Sequence, residues 1–281
     1  MIKKDDLRSV KPGRIHSETF RKGSKTYFNS SRFFPTVVRK DVYILYGFVR
    51  IADNFVDRIP QDPIGFEEFV SRYRRALRGT LTGDEIVDSF VDLARRYSFD
   101  PDWTDAFLRS MRMDLEKKIH ATLPETLEYV YGSAEVIGLF MVRIMGLDGN
   151  AERSACMLGR AMQFINFIRD VQEDNDLGRI YLPIAESGLT DLHQTTAVKH
   201  PEEFRSFIDA QLQRYREWQT EAEAGYELIP RRYRIPIKTA GDMYNWTGRV
   251  IARDPYVVYR RKVKPHRHRI LATGLLNALM C

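Results

Sequence analysis

Helical periodicity dominates this sequence of 281 residues and leaves little room for a sheet. Apolar residues recur at intervals of three and four, whereas the alternation typical of strands is hard to find. Proline and glycine separate the periodic segments. We therefore expect an all-α fold and a single domain over residues 1–281, without internal repeats or long linkers. The expected helices are Ser24–Phe34, Val38–Arg58, Ile64–Arg78, Asp84–Tyr97, Pro101 to about Thr122, Pro124–Met145, Ala151–Asp176, Glu202–Leu228, Tyr233–Ala252 and Arg269–Met280, with an irregular segment over Tyr181–His200.

Composition narrows the class of protein further. Hydrophobic residues make up 43% and charged residues 29% of the chain, which is typical of a globular protein. Two cysteines without metal-binding spacing predict neither a disulfide framework nor a zinc site and favour the cytoplasm. No apolar run approaches membrane-spanning length, and no signal peptide is visible. Dinucleotide, P-loop, zinc-protease and serine-hydrolase motifs are also missing.

The positive charge of the chain is concentrated in one short segment. The net charge is +6, and residues 260–269 hold six Lys or Arg and no acid. A nucleic-acid-binding protein more often spreads its basic residues along a face, so we expect no nucleic-acid partner. A local cluster fits a phosphate-bearing ligand, an anionic membrane surface or a solvated segment.

Two acidic stripes carry the chemical information. Asp53 and Asp57 are four residues apart in a segment that also places Tyr46 and Arg50 on the same helix face. Asp170 and Asp174 repeat this spacing. The second stripe also includes Gln163 and Asn166 at helical intervals, and Glu173 borders it.

Apolar residues flank both stripes, so the carboxylates are expected on largely buried helices. Like charges one turn apart repel each other, and burial increases that cost unless a cation lies between them. Each stripe alone is also compatible with an exposed polar edge, but two in one all-α chain favour a shared site. Mg²⁺ takes one or two carboxylates and completes its shell with water and substrate phosphate. The pattern therefore indicates a diphosphate ligand, with Arg50 and Arg169 able to contact phosphate or to pair with the aspartates.

These motifs resemble those of the squalene/phytoene synthase family. The resemblance begins with Ser24-x-x-Tyr27 and Phe33-Phe34-Pro35, and continues through Arg39-x-x-x-Tyr43-x-x-Tyr46-x-x-x-Arg50-x-x-Asp53-x-x-x-Asp57. It includes the central segment Tyr129–Gly138, then Gln163-x-x-Asn166-x-x-Arg169-Asp170-x-x-x-Asp174 followed by Gly178–Pro183, and Tyr256–Lys262. The similarity covers roughly residues 20 to 265 in the family's order.

The resemblance implies an isoprenoid-synthase helical bundle around a deep central cavity. It implies a prenyltransferase that condenses two prenyl diphosphates head to head through a cyclopropylcarbinyl diphosphate. Mg²⁺ is the implied cofactor, as two or three ions with Mn²⁺ as an alternative. The implied metal ligands are Asp53, Asp57, Asn166, Asp170 and Asp174. The implied catalytic residues are those four aspartates with Arg50, Tyr46, Tyr129 and Tyr181. The implied substrate contacts are Ser24, Tyr27, Arg50, Gln163, Asn166, Arg169, Arg179 and Tyr256.

Departures from the family pattern bear on the product. Asn54 stands where many relatives have a third acid, and Ser133 and Glu135 stand where squalene-forming relatives carry Val and Gly. This version looks more like phytoene synthases, which join twenty-carbon geranylgeranyl chains without a reductant. The alternative is a squalene or dehydrosqualene synthase that joins fifteen-carbon farnesyl chains, and NADPH is expected only for squalene. The sequence does not give the oligomeric state.

Three rival functions belong to other classes. A non-catalytic scaffold related to the family would be marked by loss of the aspartates, and all four are present. A basic nucleic-acid-binding module leaves both acidic stripes unexplained. A terpene cyclase of similar fold would consume a single prenyl diphosphate. Because the expected product is insoluble in water, we also expect peripheral membrane contact through Arg260–Arg269 and the apolar segment Ile270–Met280.

Overall fold

The structure, a computed structural model, describes residues 14–280 and is built from α-helices. Within these residues no strand forms, and one isolated parallel bridge joins Ile119 to Ile180. The expected all-α fold is therefore confirmed. The helices are α1 Arg14–Gly23, α2 Lys25–Ser31, α3 Thr36–Asp57, α4 Pro63–Leu77, α5 Glu85–Arg96, α6 Pro101–Glu116, α7 Leu123–Val130, α8 Val136–Met145, α9 Glu152–Arg169, α10 Val171–Asp176, α11 Gln194–Lys199, α12 Pro201–Glu223, α13 Arg231–Arg253, α14 Val257–Arg260 and α15 Arg267–Met280.

Local sequence signals explain where several helices begin. Asp62 precedes Pro63 and accepts a hydrogen bond from the Gly65 amide at 2.9 Å, which starts α4. Asp84 caps α5 in the same way through the amides of residues 86 and 87. Thr122 and Glu125 form a capping box at the start of α7.

Several predicted helices end earlier than expected or are interrupted in the structure. The predicted helix that begins at Pro101 ends at Glu116 rather than near Thr122, because residues 118–120 pair with Ile180 instead. The predicted helix Pro124–Met145 contains a π-helical turn over Tyr131–Glu135. The predicted helix Ala151–Asp176 breaks at Asp170, and the segment expected to be irregular contains α11. Helices α1 and α14 were not expected at all.

Two groups of helices surround the centre of the molecule. Helix α3 packs against α1, α4, α5 and α6, and α9 packs against α8, α12 and α13. Aromatic rings fill the first group, where Phe48 stacks on Phe90 at 3.8 Å between ring centroids. Between the groups, the π-helical turn contacts both α6 and α9. Glycines allow this close approach, since a Cβ at Gly132 would collide with the Ala106 carbonyl and one at Gly159 with the Ala134 carbonyl.

One hydrophobic core extends through these helices. Its buried members run from Phe20 on α1 to Val263 after α14, and they include Ala52 and Val56 on α3 and Ile165 and Ile168 on α9. Among residues 14–280, no helix is both long enough and apolar enough to cross a membrane. Helices α3 and α9, which carry the two acidic stripes, therefore enter the core and present their aspartates at its edge.

Candidate active site

The first acidic stripe lies at the C-terminal end of α3. Asp53 is 26% exposed and pairs with Arg50 one turn earlier. Asp57 ends the helix and accepts a hydrogen bond from Arg179 Nη1 at 2.7 Å. Burial and the nearby Asp57 carboxylate raise the pKa of Asp53 to about 7, which Arg50 only partly offsets. The carboxylate of Asp53 therefore carries a charge that its surroundings do not fully stabilise.

The second acidic stripe crosses the break between α9 and α10. Asp170 lies at the break and receives two hydrogen bonds from Arg169, at 2.7 and 2.6 Å. Lys262 lies 3.2 Å from Asp170 and also pairs with Glu173. Burial acts to raise the pKa of Asp170, but Arg169 and Lys262 outweigh it and the pKa is lowered. Asp170 is thus stabilised in its charged form before any ligand arrives.

Asp174 differs from Asp170 although it lies one turn away. Burial and the neighbouring Asp170 carboxylate raise the pKa of Asp174 well above its ordinary value. Asp57, on the other stripe, raises it further. Because Asp57 acts on both Asp53 and Asp174, the two stripes face each other closely enough to interact.

The donor chemistry of the facing stripes fits a hard cation. Carboxylate oxygens are the ligands that Mg²⁺ prefers, and the raised pKa values of Asp53 and Asp174 show that their charged forms lack a compensating cation. Within the described part of the chain, however, no three acidic, histidine or cysteine side chains converge as a ready metal cluster. Each stripe therefore supplies only part of the ligands that a metal ion would need. Phosphate oxygens of a ligand would complete the coordination shell, which matches the usual habit of Mg²⁺.

A fifth aspartate, buried in the core, is connected to the first stripe through hydrogen bonds. Asp114 of α6 is 1% exposed and accepts hydrogen bonds from Tyr129 at 2.8 Å and Tyr181 at 2.5 Å. Arg179 connects this group to Asp57, because its Nη1 also lies 3.3 Å from the Tyr181 hydroxyl. Burial raises the pKa of Asp114 to about 6, although Arg179 and the two tyrosines oppose this.

Asp114 was missed in the sequence because it stands alone. A signal was nevertheless present: Asp114 lies three, four and seven residues after Met111, Ser110 and Phe107, which are all buried on the core face of α6. A carboxylate at a core-facing position needs buried partners. The partners here are two of the tyrosines that were predicted to be catalytic.

A deep cavity opens beside Asp53 of the first stripe and beside Gln163 and Asn166 of the second, whereas Asp57, Asp170 and Asp174 do not line it. Its volume is about 400 Å³, and its walls come from α2, α3, α6, α8, α9 and α13, with the π-helical turn. Asp53, Arg50 and Asn166 are among the polar lining residues, and most of the other lining residues are apolar. Seven predicted site residues border this cavity: Tyr27, Tyr46, Arg50, Asp53, Tyr129, Gln163 and Asn166. The structure therefore joins a polar mouth to an apolar chamber.

Other predicted site residues lie outside the cavity wall. The Ser24 hydroxyl caps α2 by accepting a hydrogen bond from the Tyr27 amide at 3.3 Å. Arg179 is 3% exposed and is occupied by Asp57 and the Val56 carbonyl. Tyr181 points to Asp114 and stacks on Phe167 at 4.6 Å between ring centroids. Arg179 and Tyr181 are thus positioned to organise the carboxylates and not to line the chamber.

Tyr256 also lies outside the cavity wall. It was expected to contact substrate, but its hydroxyl donates to the Ala197 carbonyl at 2.9 Å and its ring packs against Phe204. It does not border the cavity. In the basic segment that follows, Lys262 reaches the second stripe, whereas Arg260 pairs with Asp254 and Arg269 lies over the Trp246 ring.

Comparison with known proteins agrees with this arrangement. The chain matches the squalene/phytoene synthase family over residues 20–269. It is 28% identical to 15-cis-phytoene synthase of Pantoea ananas over 249 residues, 82% of this chain and 79% of that one. It is 30% identical to 15-cis-phytoene synthase of Enterobacter agglomerans over 245 residues, 80% and 81% of the two chains.

Solved structures show the same fold at lower sequence identity. Squalene synthase HpnC from Alicyclobacillus acidocaldarius superposes with a TM-score of 0.77 at 23% identity, covering 86% of this chain and 93% of that chain. A dehydrosqualene synthase in complex with ligand superposes with a TM-score of 0.80 at 20% identity, covering 94% of both chains.

The matching family and its curated relatives define the class of protein as a prenyltransferase, and the solved structures share its helical fold. More specifically, the chain belongs to the squalene/phytoene synthase family. The expected family and enzyme class are therefore confirmed.

Proposed function

We propose that this protein condenses two geranylgeranyl diphosphates head to head to form phytoene, with Mg²⁺ as its cofactor. We also propose that its helices form a single domain. The observation that carries the substrate assignment is the depth of the apolar chamber below the aspartates. Lining residues on α9 run from Asn166 at the mouth to Ser154, which at the helical rise is ~18 Å. The curated relatives named 15-cis-phytoene synthase support the same product.

The length of the two candidate substrates can be compared with this depth. An extended chain gains ~1.2 Å per bond, as the reach of an extended backbone implies. The longest carbon run of a geranylgeranyl group then spans ~18 Å, and that of a farnesyl group ~13 Å. The chamber accommodates the longer chain without requiring it to fold back.

The polar mouth supplies the binding and positioning groups. Asp53, Asp57, Asp170 and Asp174 would hold the metal, with Asn166 assisting. When bound, Mg²⁺ supplies positive charge that stabilises the departing diphosphate. Arg50, 34% exposed beside Asp53, can exchange its carboxylate partner for a phosphate oxygen. The contacts among Asp114, Tyr181 and Arg179 fix the position of Asp57 at the end of α3.

The chamber then protects the cationic stages from water. One substrate loses diphosphate and leaves an allylic cation, which the double bond of the second substrate attacks. Loss of a proton closes a cyclopropylcarbinyl diphosphate. This intermediate loses its own diphosphate, rearranges and loses a second proton to give the hydrocarbon. Tyr46 and Tyr129 border the cavity near the mouth, where their rings can stabilise positive charge.

The test is an incubation with geranylgeranyl or farnesyl diphosphate and Mg²⁺, with and without NADPH, followed by mass spectrometry of the organic extract. Phytoene from the twenty-carbon substrate without NADPH, abolished by EDTA, is the expected result. Asp53→Ala and Asp170→Ala serve as inactive controls. Squalene or dehydrosqualene from farnesyl diphosphate would replace the proposed product and keep the family reaction. No hydrocarbon from either substrate, with folded protein, would contradict the proposal.

We further propose that the enzyme works in the cytoplasm at an anionic membrane surface, through α15. Four large apolar side chains, Leu275, Leu276, Leu279 and Met280, are 56–82% exposed on this helix. Its opposite face is fixed to the bundle, where Asn277 donates a hydrogen bond to Asp242 at 2.8 Å. Basic residues start the helix and no acid lies on it. Exposed apolar residues beside basic ones are typical of interfacial helices.

Flotation with vesicles tests the membrane surface. Vesicles that contain anionic lipid should retain the protein more than neutral ones, and Leu276→Ser with Leu279→Ser should weaken retention. Val198→Ser, at another exposed apolar site, is the matched control. Equal retention by both kinds of vesicle, unchanged by the α15 substitutions, would exclude this surface.

A further inference from the structure

The wall that α9 contributes to the chamber changes in size along its length. Nearer the mouth the lining residues include the large side chains of Met162 and Leu158, with Gly159 between them. Farther from the aspartates the lining residues of α9 are small, with Ala155 and Ser154, and Ala151 lies just before the helix. Because α9 is continuous over Glu152–Arg169, these residues lie at fixed distances from the diphosphate end. Distances along α9 from the diphosphate end can therefore be compared with the length of an extended substrate chain.

We propose that Ala155 is a specificity-determining residue that admits the last isoprene unit of a twenty-carbon substrate. This inference rests on the proposed function. At the helical rise, Leu158 lies ~12 Å and Ala155 ~16 Å from Asn166. An extended farnesyl chain spans ~13 Å and therefore ends between these two levels. An extended geranylgeranyl chain spans ~18 Å and continues past Ala155.

The opposing walls near Ala155 are also built from small residues. Gly138 on α8 approaches so closely that a Cβ there would lie 3.3 Å from the Ala155 Cβ and would collide with the Ala155 carbonyl. Beyond Ala155, a Cβ at Gly225 would collide with the Ser154 side chain. The neighbouring backbones are therefore already at their closest approach. A larger side chain at Ala155 therefore cannot extend toward Gly138 or Gly225. It would instead occupy space inside the chamber.

The experiment enlarges this position in the full-length protein. Ala155→Val and Ala155→Phe are assayed with geranylgeranyl and farnesyl diphosphate as competing substrates, and the products are identified by mass spectrometry. The readout is the ratio of kcat/KM for the two substrates. Arg153→Phe is the matched control, because Arg153 is on the same helix but its side chain is 84% exposed. Thermal unfolding of each variant confirms that it is folded.

The expected result is a graded shift in chain length. The ratio should move toward farnesyl diphosphate by about tenfold or more in Ala155→Phe, since one apolar unit changes discrimination by that order. Ala155→Val should shift the ratio in the same direction by less, and Arg153→Phe should leave it unchanged. If Ala155→Phe does not fold, the direction of the Ala155→Val shift decides the question.

Two failures are distinguishable. If the unmodified protein makes no forty-carbon hydrocarbon from geranylgeranyl diphosphate, the proposed function is wrong. If it does, but Ala155→Val and every folded larger variant keep the original substrate ratio, the proposed function stands and the role of Ala155 is wrong. A shift that Arg153→Phe reproduces would also overturn the role of Ala155, because the bulk would then act without entering the chamber.

Discussion

The two acidic stripes share a spacing but differ in their electrostatic state. Asp53 and Asp170 occupy the first position of each pair, yet burial and Asp57 raise the pKa of Asp53 to about 7, whereas Arg169 and Lys262 overcome the effect of burial and lower the pKa of Asp170. In the second stripe it is Asp174, the second member, whose pKa is raised. The demand for positive charge is therefore divided between Asp53 on one stripe and Asp174 on the other.

Backbone structure accounts for part of this difference. Helix α3 continues without interruption to Asp57, so Asp53 meets Arg50 only across one turn. The break at Asp170 lets the adjacent Arg169 turn back and bind both carboxylate oxygens. A bidentate pair is stronger than a single contact. Equal spacing in sequence thus does not imply that the carboxylates need a cation equally. A cation would compensate the most negative charge if it were bound where the two stripes meet.

The largest expected effect comes from removing the unbalanced charges. Asp53→Asn and Asp174→Asn should each lower kcat/KM by about a thousandfold, because removal of one preorganised electrostatic group costs catalysis on that order. Steady-state assays at saturating Mg²⁺ measure this loss. Asp176→Asn, an exposed aspartate at the end of α10, is the control and should retain activity. Near-normal activity in both Asp53→Asn and Asp174→Asn would remove these residues from the reaction.

The next effect is on stability and has opposite signs in the two stripes. Without divalent metal near pH 8, Asp53→Asn should raise the free energy of unfolding by about 1–2 kcal/mol, because it removes a poorly stabilised charge. Asp170→Asn should lower it by about 2 kcal/mol, because Arg169 loses its buried partner. Denaturant unfolding in EDTA measures both. The same sign for both variants would contradict the difference between the stripes.

Asp114 offers a test of the support beneath the first stripe. Its pKa is about 6 in the folded protein, and the ordinary value is 3.8, so between these values the folded state binds more protons. The free energy of unfolding should therefore fall as pH rises from about 4 to about 6. Asp114→Asn should reduce this fall by about 1–2 kcal/mol. Denaturant unfolding at several pH values measures the slope; an unchanged slope would show that Asp114 does not titrate in this range.

Much of the architecture could be predicted because helical periodicity is local. Helices α3, α4 and α5 begin and end within two residues of the expected positions, since Pro35, Pro63 and the capping aspartates act on residues directly beside them in the chain. The break at Asp170 could not be predicted, because the periodic pattern continues through it. At the break, Asp170 also contacts a distant segment through Lys262, which is 92 residues further along the chain.

The candidate site was predictable to the extent that its residues form repeated patterns. The paired aspartates were found because two copies of one spacing occur in apolar helices. Asp114 has no such repeat, and its partners Tyr129 and Tyr181 come from other parts of the chain. The Ala197 contact of Tyr256 could not be predicted, because a tyrosine between apolar residues gives no sign of whether its hydroxyl meets substrate or a backbone carbonyl.

The smallest expected effect concerns Lys262, which helps to set the second stripe apart from the first. Lys262→Met removes a cation that pairs with Asp170 and Glu173 and is 27% exposed. Because partly exposed ion pairs contribute about 0.2–1 kcal/mol, the Mg²⁺ concentration for half-maximal activity should fall by about two- to threefold. Titration of activity with Mg²⁺, together with metal-induced thermal stabilisation, measures the change. Arg260→Met is the matched control, since Arg260 pairs with Asp254 away from the stripes. A higher Mg²⁺ requirement in Lys262→Met would mean that Lys262 assists the site instead of competing for its carboxylates.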